Sequence, residues 1–335
     1  MNSWKSYVNS ESLEWLLEEN NPSVRYFTLK NILGKSEGDL KVKEARKNIM
    51  KIGPVPKILA KQETEGYWGR PENYYLRSKY RGTSWQMIVL AELRADENDN
   101  KIKKTCEFIL KTAQDSLSGA FSYLSDKNGT GDHEKVLPCF TANMIWCLIR
   151  FGYLDDERLQ NAIEWLIKYQ RFDDGDGAPP DIWPFKRWER CWGKHTCHSI
   201  IVKSLKAFSE IPKNKRNSEI KEYIQNGSEF MLKHHIYKRS HDLSLQGNEK
   251  WINLGFPLMW DFDIAEILLI LLKLGFKDDR MQEAIDIIVS KQGNDGKWIM
   301  DRTFNGRLLT SIERKGKPSK WITLNALSVL KGYYG

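Results

Sequence analysis

Apolar side chains recur at helical spacing along most of the chain. In residues 151–170 and 274–292 they fall every three or four positions, which predicts an amphipathic helix in each segment. The two segments align without a gap over residues 158–170 and 280–292, where arginine, glutamine, alanine and isoleucine occupy matching positions. This internal similarity predicts a fold built from repeated helical units.

A small residue marks the end of the first helix of each unit. Gly152 and Gly275 fit a helix C-cap, where a positive φ favours glycine. Corresponding positions along the chain are Gly34, Ala95, Gly152, Ser209, Gly275 and Gly332, separated by 57 to 66 residues. Because a pair of helices with two connections needs about this length, the spacing predicts six helix pairs.

A second marker follows the other helix of the pair. Residues 62–68 and 292–298 both read Q-x-x-x-G-x-W, and residues 114–121 form a looser copy. We expect the glycine to allow the turn, the aromatic ring to anchor it, and the glutamine to satisfy a neighbouring helix end. The corresponding position is Gln in four units, Gln62, Gln114, Gln170 and Gln292, and His234 in another.

The first helix of each pair is the more apolar, as in residues 87–93, 144–149 and 268–275, and the second carries more charge. This alternation predicts an inner layer of apolar helices inside an outer amphipathic layer. Such pairs can stack into an open solenoid or close into a ring. We predict an all-α fold, an α/α toroid of about six helical hairpins that forms a single domain over residues 1–335.

Charge and composition narrow the range of functions. The net charge is +8, but Lys and Arg are interleaved with Asp and Glu and no run of five like charges occurs, so we expect no nucleic-acid partner. No apolar run reaches the roughly 18 residues needed to cross a bilayer. The N-terminal residues lack an apolar signal core, and the five cysteines form no secreted disulfide framework. We therefore expect a cytoplasmic protein.

The Q-x-x-x-G-x-W turns between alternating inner and outer helices resemble the repeat of squalene and hopene cyclases. Protein prenyltransferase β subunits have a similar toroid, and the likeness extends from about residue 14 to residue 335. The chain is also similar to uncharacterised single-toroid proteins. The resemblance implies that an apolar, anionic, isoprenoid-type ligand occupies a central cavity, with acid-initiated carbocation chemistry supported by aromatic faces.

Two other functions are compatible with the same fold. One is a non-catalytic module that binds a small ligand or a peptide in the ring, and the other is a lyase or hydrolase that uses a histidine as base. In the families that the chain resembles, the site lies between two helical domains or needs a partner subunit. The sequence therefore leaves open whether a partner protein or a homo-oligomer completes the site.

The resemblance also implies that the inner helices run parallel, so that their starts gather at one mouth of the cavity. Counting eleven residues back from each small residue predicts helix starts at Ser23, Ser84, Thr141, His198, Ile264 and Trp321. Free N–H groups and partial positive charge at helix N-termini suit an anion. The expected ligand-binding residues near these starts are Arg25, Arg81, Trp85, Asn143, Lys194, Lys317, Lys320 and Trp321. The alternative is that they are ordinary capping and rim residues.

Residues 260–266 resemble the D-x-D-D-T-A motif of class II cyclases. Asp261 and Asp263 match its first and third positions, whereas Ile264 replaces the last aspartate. The resemblance implies that Asp263 is the proton donor, with Asp261, His195 and His198 as catalytic neighbours. The alternative is an acidic N-cap that interacts favourably with the helix dipole.

Residues 191–198 hold the densest group of metal-ligating side chains. Cys191, His195 and His198 are candidate zinc ligands, because thiolate sulfur and neutral imidazole are typical ligands of that ion. The prenyltransferase ligand pattern does not carry over, since no D-x-C pair occurs. The alternative is a histidine pair that lines the cavity. The acidic run at residues 173–177 lacks the spacing of a calcium loop, so we predict a turn there, with weak cation binding as the alternative.

Overall fold

The computed structural model describes residues 3–304 and 306–335 and is mostly helical. A π-helical turn, Thr28–Ile32, extends the second helix, and one short antiparallel hairpin is formed by β1 (Lys238–Arg239) and β2 (Asp242–Gln246). The α-helices are α1 (Ser10–Leu16), α2 (Pro22–Phe27), α3 (Leu40–Ile49), α4 (Pro54–Leu59), α5 (Thr83–Glu92), α6 (Asn100–Thr112), α7 (Pro138–Arg150), α8 (Glu157–Tyr169), α9 (Glu189–Trp192), α10 (His198–Ser209), α11 (Ser218–Lys233), α12 (Ile264–Leu274), α13 (Gln282–Ser290) and α14 (Lys320–Tyr334).

Six helices form the inner ring: α2, α5, α7, α10, α12 and α14. Helix α7 contacts α5 and α10, α12 contacts α10 and α14, and α14 returns to α2. The remaining junction is joined by Ser23 Oγ on α2, which donates to the main-chain oxygen of Leu93 at 2.8 Å. Each inner helix begins within three residues of the start that the spacing predicts.

The difference in hydrophobicity between the two layers follows from their burial. Every residue of α5 from Thr83 to Ala91 is buried, because the helix has neighbours on several sides. In α8, which packs against α7 from outside, only one stripe is buried, formed by Leu159, Ala162, Ile163, Trp165 and Leu166. The inner helices are therefore apolar nearly all round, and the outer ones are amphipathic.

The two ends of the chain meet and close the ring. Helix α1 packs against α14 and is the outer partner of that last inner helix. The rings of Tyr7 and Tyr334 stack with centroids 6.3 Å apart. Gln292 Nε2 donates to the main-chain oxygen of Tyr7 at 2.8 Å. Among the described residues, the sixth helix pair thus joins the last inner helix to the first helix of the chain.

The two Q-x-x-x-G-x-W segments make matching contacts. Trp68 Nε1 donates to the oxygen of Ile58 at 2.9 Å, and Trp298 Nε1 donates to that of Ile288 at 2.7 Å, ten residues earlier in each case. Both indoles are fully buried. The tryptophan therefore ties each turn to the outer helix that precedes it.

The glutamine of each segment contacts the next outer helix. Gln62 Nε2 donates to the oxygen of Lys101 in the first turn of α6 at 2.9 Å, as Gln292 does to Tyr7 before α1. Gln114 makes the same kind of bond to the oxygen of Arg158 in α8. These side chains fix the spacing between neighbouring repeats.

The predicted fold class is confirmed: the described residues form an all-α toroid of six helix pairs. None of the described helices combines the length and the hydrophobicity that a membrane-crossing helix requires.

Replacing Gly296 by alanine is expected to loosen the junction between the two chain ends. Gly296 has a φ of 73°, and an added Cβ would lie 2.6 Å from Cβ of Asn9. Gly275 shares the positive φ, at 100°, but a Cβ there meets no atom within 4 Å. Gly296→Ala should therefore lower the free energy of unfolding in urea by about 1–3 kcal/mol more than Gly275→Ala. Equal losses in the two variants would contradict the packing of this turn against the N-terminal segment.

Candidate functional site

A cavity of about 170 Å³ lies at the centre of the ring, and all six inner helices contribute to its wall. One lining residue from each helix in turn is Phe27, Glu92, Trp146, Lys206, Glu266 and Trp321. The loop before α12 adds Phe256, whose ring stacks on Trp321 with centroids 4.1 Å apart and planes within 8°. Four aromatic rings thus enclose a cavity that also carries charged side chains.

Three of the charged side chains form a buried cluster between α10 and α12. Lys203 Nζ lies 2.9 and 2.7 Å from the two carboxylate oxygens of Glu266. Lys206 Nζ lies 2.7 Å from Glu266 Oε1, also binds Glu92 of α5, and is 4.1 Å from the ring centroid of Trp146. Lys206 therefore links three inner helices and stands over an aromatic face.

A second ionic group lies at the end of α7. Arg150 Nη1 is 3.2 Å from Glu210 Oε1, and Lys273 Nζ is 2.8 Å from Glu210 Oε2. Arg150 Nε is buried and has no hydrogen-bond partner among the described residues. The cavity wall therefore carries three cations, Arg150, Lys206 and Lys273, and three carboxylates, Glu92, Glu210 and Glu266, whereas Lys203 does not line it.

Glu210 and Glu266 stay ionised although they are buried. Burial acts to raise the pKa of Glu266, but the neighbouring charges of Lys203 and Lys206 outweigh it and lower the pKa below its ordinary value. Burial likewise acts against ionisation of Glu210, yet Arg150 and Lys273 bring its pKa down to about 2. Neither group holds a proton at neutral pH.

Asp263 is the N-cap of α12. Its Oδ1 accepts the N–H of Glu266 at 2.9 Å, and its Oδ2 accepts the N–H of Gly255 at 2.8 Å. Burial is the main cause that raises the pKa of Asp263 to about 6. Asp261 pairs with Arg302 and accepts the N–H of Phe262 at 2.9 Å.

These contacts are those of the capping alternative, and the implied role of Asp263 as proton donor stays a prediction. Both oxygens of Asp263 are occupied by main-chain donors, and neither aspartate is part of the wall of the central cavity. A side chain at the cap position points back over its own helix start, because the free N–H groups there attract it.

A second cavity, of about 470 Å³, lies beside the start of α10 and is called the histidine pocket below. Four of the six histidines of the chain line it together with Asp174 and Trp251: His195, His198, His234 and His241. The ring of His198 is 4.4 Å from that of His234 and 4.7 Å from Trp251. Burial lowers the pKa of His198 to about 3, so its ring is neutral at neutral pH.

The structure does not assemble the predicted zinc set of Cys191, His195 and His198. Among the described residues, the ligand atoms that come within 4.8 Å of one another are those of Asp174, His195 and His241. The Cys191 side chain is held in a different environment, where burial raises the pKa of its thiol. Of the expected set, His195 alone belongs to this group.

Of the eight expected ligand-binding residues, only Trp321 lines the central cavity. Trp85 is fully buried against Tyr75, with ring centroids 4.5 Å apart, and its Nε1 donates to the oxygen of Tyr75 at 2.8 Å. Asn143 donates to the oxygen of Cys139 at 2.9 Å, one turn earlier in the same helix. The segment before α5 therefore occupies the Trp85 side chain, and α7 itself occupies that of Asn143.

The predicted basic residues bind protein groups or face solvent. Arg25 donates to the oxygen of Leu17 at 2.7 Å, and Lys320 Nζ is 2.7 Å from Glu18 Oε2. The other three, Arg81, Lys194 and Lys317, are exposed. None of these five basic residues lines the central cavity beside Trp321.

Sequence reasoning missed most of the residues that form the two cavities. Lys203, Lys206 and Glu266 stand inside apolar inner helices, and a charge in such a helix is itself a signal of an interior partner. His234 replaces the glutamine of other repeats, and Asp174 lies in the acidic run for which a turn was predicted, with weak cation binding as the alternative.

No protein-family model and no curated protein matches the chain. Similar solved structures include a glycoside hydrolase of family 105 from C. acetobutylicum ATCC 824, with 14% identity, 96% of this chain and 98% of that chain covered, and a TM-score of 0.48. The type II terpene cyclase MstE from Scytonema has 14% identity, with 95% and 87% covered and a TM-score of 0.44. A family 76 glycoside hydrolase from a bovine Bacteroides thetaiotaomicron strain has 11% identity, with 98% and 68% covered and a TM-score of 0.44. These likenesses concern the fold alone.

Asp263→Ala is expected to destabilise the protein more than removal of Asp99, the N-cap of α6, does. The change leaves two buried N–H groups, of Glu266 and Gly255, without their acceptor, at about 1–3 kcal/mol each. Asp99 caps α6 at a half-buried site, and Asp99→Ala should cost about 1 kcal/mol. Urea unfolding at pH 7 measures both losses. Equal stability of the Asp263→Ala variant and the unchanged protein would contradict the capping role.

Acidification is expected to remove stability that the ionised Glu210 supplies. Its folded pKa of about 2 lies below its ordinary value of 4.5, so this contribution is complete above pH 4.5 and is lost as the pH falls towards 2. The shift corresponds to about 3 kcal/mol. At pH 5 the Glu210→Gln variant should therefore have a lower free energy of unfolding than the unchanged protein. As the pH falls from 5 to 3, the difference between the two should shrink by an amount on that order.

Glu222→Gln, at an exposed position of α11, is the matched control and should follow the unchanged protein at every pH. A constant difference between Glu210→Gln and the unchanged protein across this pH range would show that the Glu210 carboxylate does not depend on its two cations.

Proposed function

We propose that the central cavity of the toroid binds a small ligand that joins an apolar, isoprenoid-type body to an anionic group. The observation that carries the proposal is the composition of the cavity wall. Four aromatic rings enclose it, and Arg150 and Lys206 stand directly against one of them, Trp146. An apolar body would lie on the aromatic faces, while the anionic group would meet the cations.

The size of the cavity limits the ligand. At about 170 Å³ it is close to the roughly 150 Å³ of an engineered apolar cavity that holds one benzene molecule. It is smaller than the roughly 300–1,000 Å³ of sites for larger ligands. We therefore propose a body of one or two isoprene units, and not a long polyprenyl chain or a peptide segment.

The ionic cluster itself favours a binding role. Lys203 is 1% exposed. Taking such a charge out of water costs several kcal/mol, and attraction to a carboxylate partner offsets only part of that free energy. Well-packed apolar side chains often stabilise a fold equally well. Buried charges beside a cavity are therefore typical of a ligand site. Arg150 Nε, which is buried and has no hydrogen-bond partner among the described residues, is the donor that favours an anionic group on the ligand.

The proposal is one of binding rather than of acid-initiated cyclisation. Such chemistry would need a carboxylic acid that keeps its proton inside the cavity. Glu210 and Glu266 carry lowered pKa values because of their cationic neighbours. Their arrangement supports attraction of an anion and not protonation of an alkene.

Calorimetric titration with three probes tests the proposal. Geranyl phosphate carries both parts of the proposed ligand, geraniol carries only the apolar body, and inorganic phosphate carries only the anionic group. Geranyl phosphate should bind at least tenfold more tightly than either of the other two, because only it uses both parts of the wall. Comparable affinities for geraniol and geranyl phosphate would show that the cations of the cavity do not contribute to binding.

Leu269→Trp is the variant that should block the central cavity. Leu269 lines the cavity, so the larger indole should fill it and abolish binding of geranyl phosphate without changing any charge. Leu33→Trp adds the same group at a position that is 40% exposed and outside this cavity, and it should bind as the unchanged protein does. Undiminished binding by Leu269→Trp, or no binding by the unchanged protein, would overturn the proposal.

A further inference from the structure

Three segments near the start of α10 bring metal-ligating side chains together in the histidine pocket. Asp174 lies in the loop after α8, His195 in the segment before α10, and His241 in the turn between β1 and β2. Main-chain bonds hold the first two segments side by side, since the N–H of Gly175 donates to the oxygen of Lys194 at 2.7 Å. The ligand atoms are therefore placed by the backbone and not by flexible side chains alone.

The distances between these atoms fit a shared metal ion. His195 Nδ1 and His241 Nε2 are each 3.6 Å from Asp174 Oδ1. That separation is too long for an N–H···O hydrogen bond, which spans about 2.7–3.2 Å. Ligands bound tetrahedrally to zinc at about 2.0–2.2 Å stand about 3.3–3.6 Å apart. All three ligand atoms lie within 4.8 Å of one another.

Gly175 leaves the space that the two imidazole rings occupy. An added Cβ at this position would lie 2.9 Å from Cε1 of His195 and 3.4 Å from Nε2 of His241. Both rings therefore approach the main chain beside Asp174 as closely as a glycine permits. This packing orients the rings towards the carboxylate.

The other oxygen of Asp174 is held by outer partners. Lys233 Nζ lies 2.8 Å from Oδ2, and the hydroxyl of Ser240 donates to the same atom. Ligating carboxylates commonly carry such a hydrogen bond on their second oxygen, which fixes the first oxygen for the metal. Lys233 opposes a cation electrostatically, but its side chain is 49% exposed and its charge is screened by solvent.

A third imidazole also faces the ligating oxygen. His234 Nδ1 donates to the main-chain oxygen of Phe230 at 2.7 Å, which fixes the ring. Its Nε2 stands 3.2 Å from Asp174 Oδ1. The ring therefore helps to hold in place the carboxylate oxygen that faces His195 and His241.

We propose that Asp174, His195 and His241 bind a divalent transition-metal ion, zinc above all, with an open coordination position towards the histidine pocket. Imidazole nitrogen with one carboxylate suits zinc rather than magnesium, which prefers oxygen ligands alone. The side chains of His195 and His241 are 63% and 59% exposed, so an ion reaches them from solvent. His241 Nε2 donates to the main-chain oxygen of Asp174 at 2.7 Å, and coordination replaces that hydrogen bond.

Three protein ligands leave a fourth position for water or another small ligand, as in zinc sites that are not purely structural. The position faces a cavity of about 470 Å³ whose wall includes Trp251 and Leu245. This site does not depend on the ligand proposed for the central cavity.

Calorimetric titration of the full chain, without a histidine tag and after chelator treatment, tests the site. Zinc chloride should bind with one equivalent and raise the melting temperature, whereas magnesium chloride should do neither. His195→Ala and His241→Ala should each weaken zinc binding at least tenfold and remove the rise in melting temperature. Both residues are exposed, so the two variants should keep the melting temperature of the metal-free protein.

His133→Ala and His235→Ala are the matched controls, because these two histidines lie outside the pocket and contact Asp115 and Glu283 instead. Each should bind zinc as the unchanged protein does. Zinc binding that stays below one equivalent, that survives in His195→Ala and His241→Ala, or that is lost equally in the controls would overturn the assignment.

Discussion

A helix in the closed inner ring has only one side left for a charged group. Helix α10 contacts α7 and α12 beside it and α11 behind it, so a charged side chain on its remaining face must find its counter-ion on another inner helix. Lys203 and Lys206 do so with Glu266 of α12, and Lys206 also reaches Glu92 of α5. Closure of the ring, the ionic cluster and the central cavity are therefore consequences of one packing arrangement.

Helix α10 also separates the two candidate sites. His198 is its first residue and lines the histidine pocket, whereas Lys206 lines the central cavity. Eight residues at a rise of 1.5 Å place them about 12 Å apart along the helix axis. The two sites also differ in chemistry. Aromatic rings, three cations and three carboxylates line the central cavity, whereas Asp174 and four imidazoles line the histidine pocket, and that second set suits a metal ion.

The fold was predictable because its signals are local. Hydrophobic spacing and the small residue at each helix end placed all six inner helices to within three residues. The capping role of Asp263 was also an alternative that its place before an apolar run supported. The pairing of α1 with α14 was harder to predict from the sequence. The two helices lie about three hundred residues apart, and they meet only when the ring closes.

The sites were predictable only in part. His195 and His198 were singled out by their residue type, but which of them meets Asp174 depends on a loop and a hairpin from other segments. Trp85 and Asn143 were expected at a shared mouth, yet Trp85 binds the connection before its helix and Asn143 binds a main-chain oxygen of its own helix. A charged residue in an apolar helix shows that a partner exists, whereas the identity of that partner depends on which helices become neighbours.

The account depends most on the claim that the centre of the ring attracts anions. Anomalous diffraction from a crystal soaked in sodium bromide measures this directly, because bromide reports where a small anion settles. We expect a bromide peak inside the central cavity, within reach of Arg150 Nε and Lys206 Nζ. Peaks confined to lysines on the outer surface, with Trp146 and Trp321 closed over an anion-free centre, would contradict it.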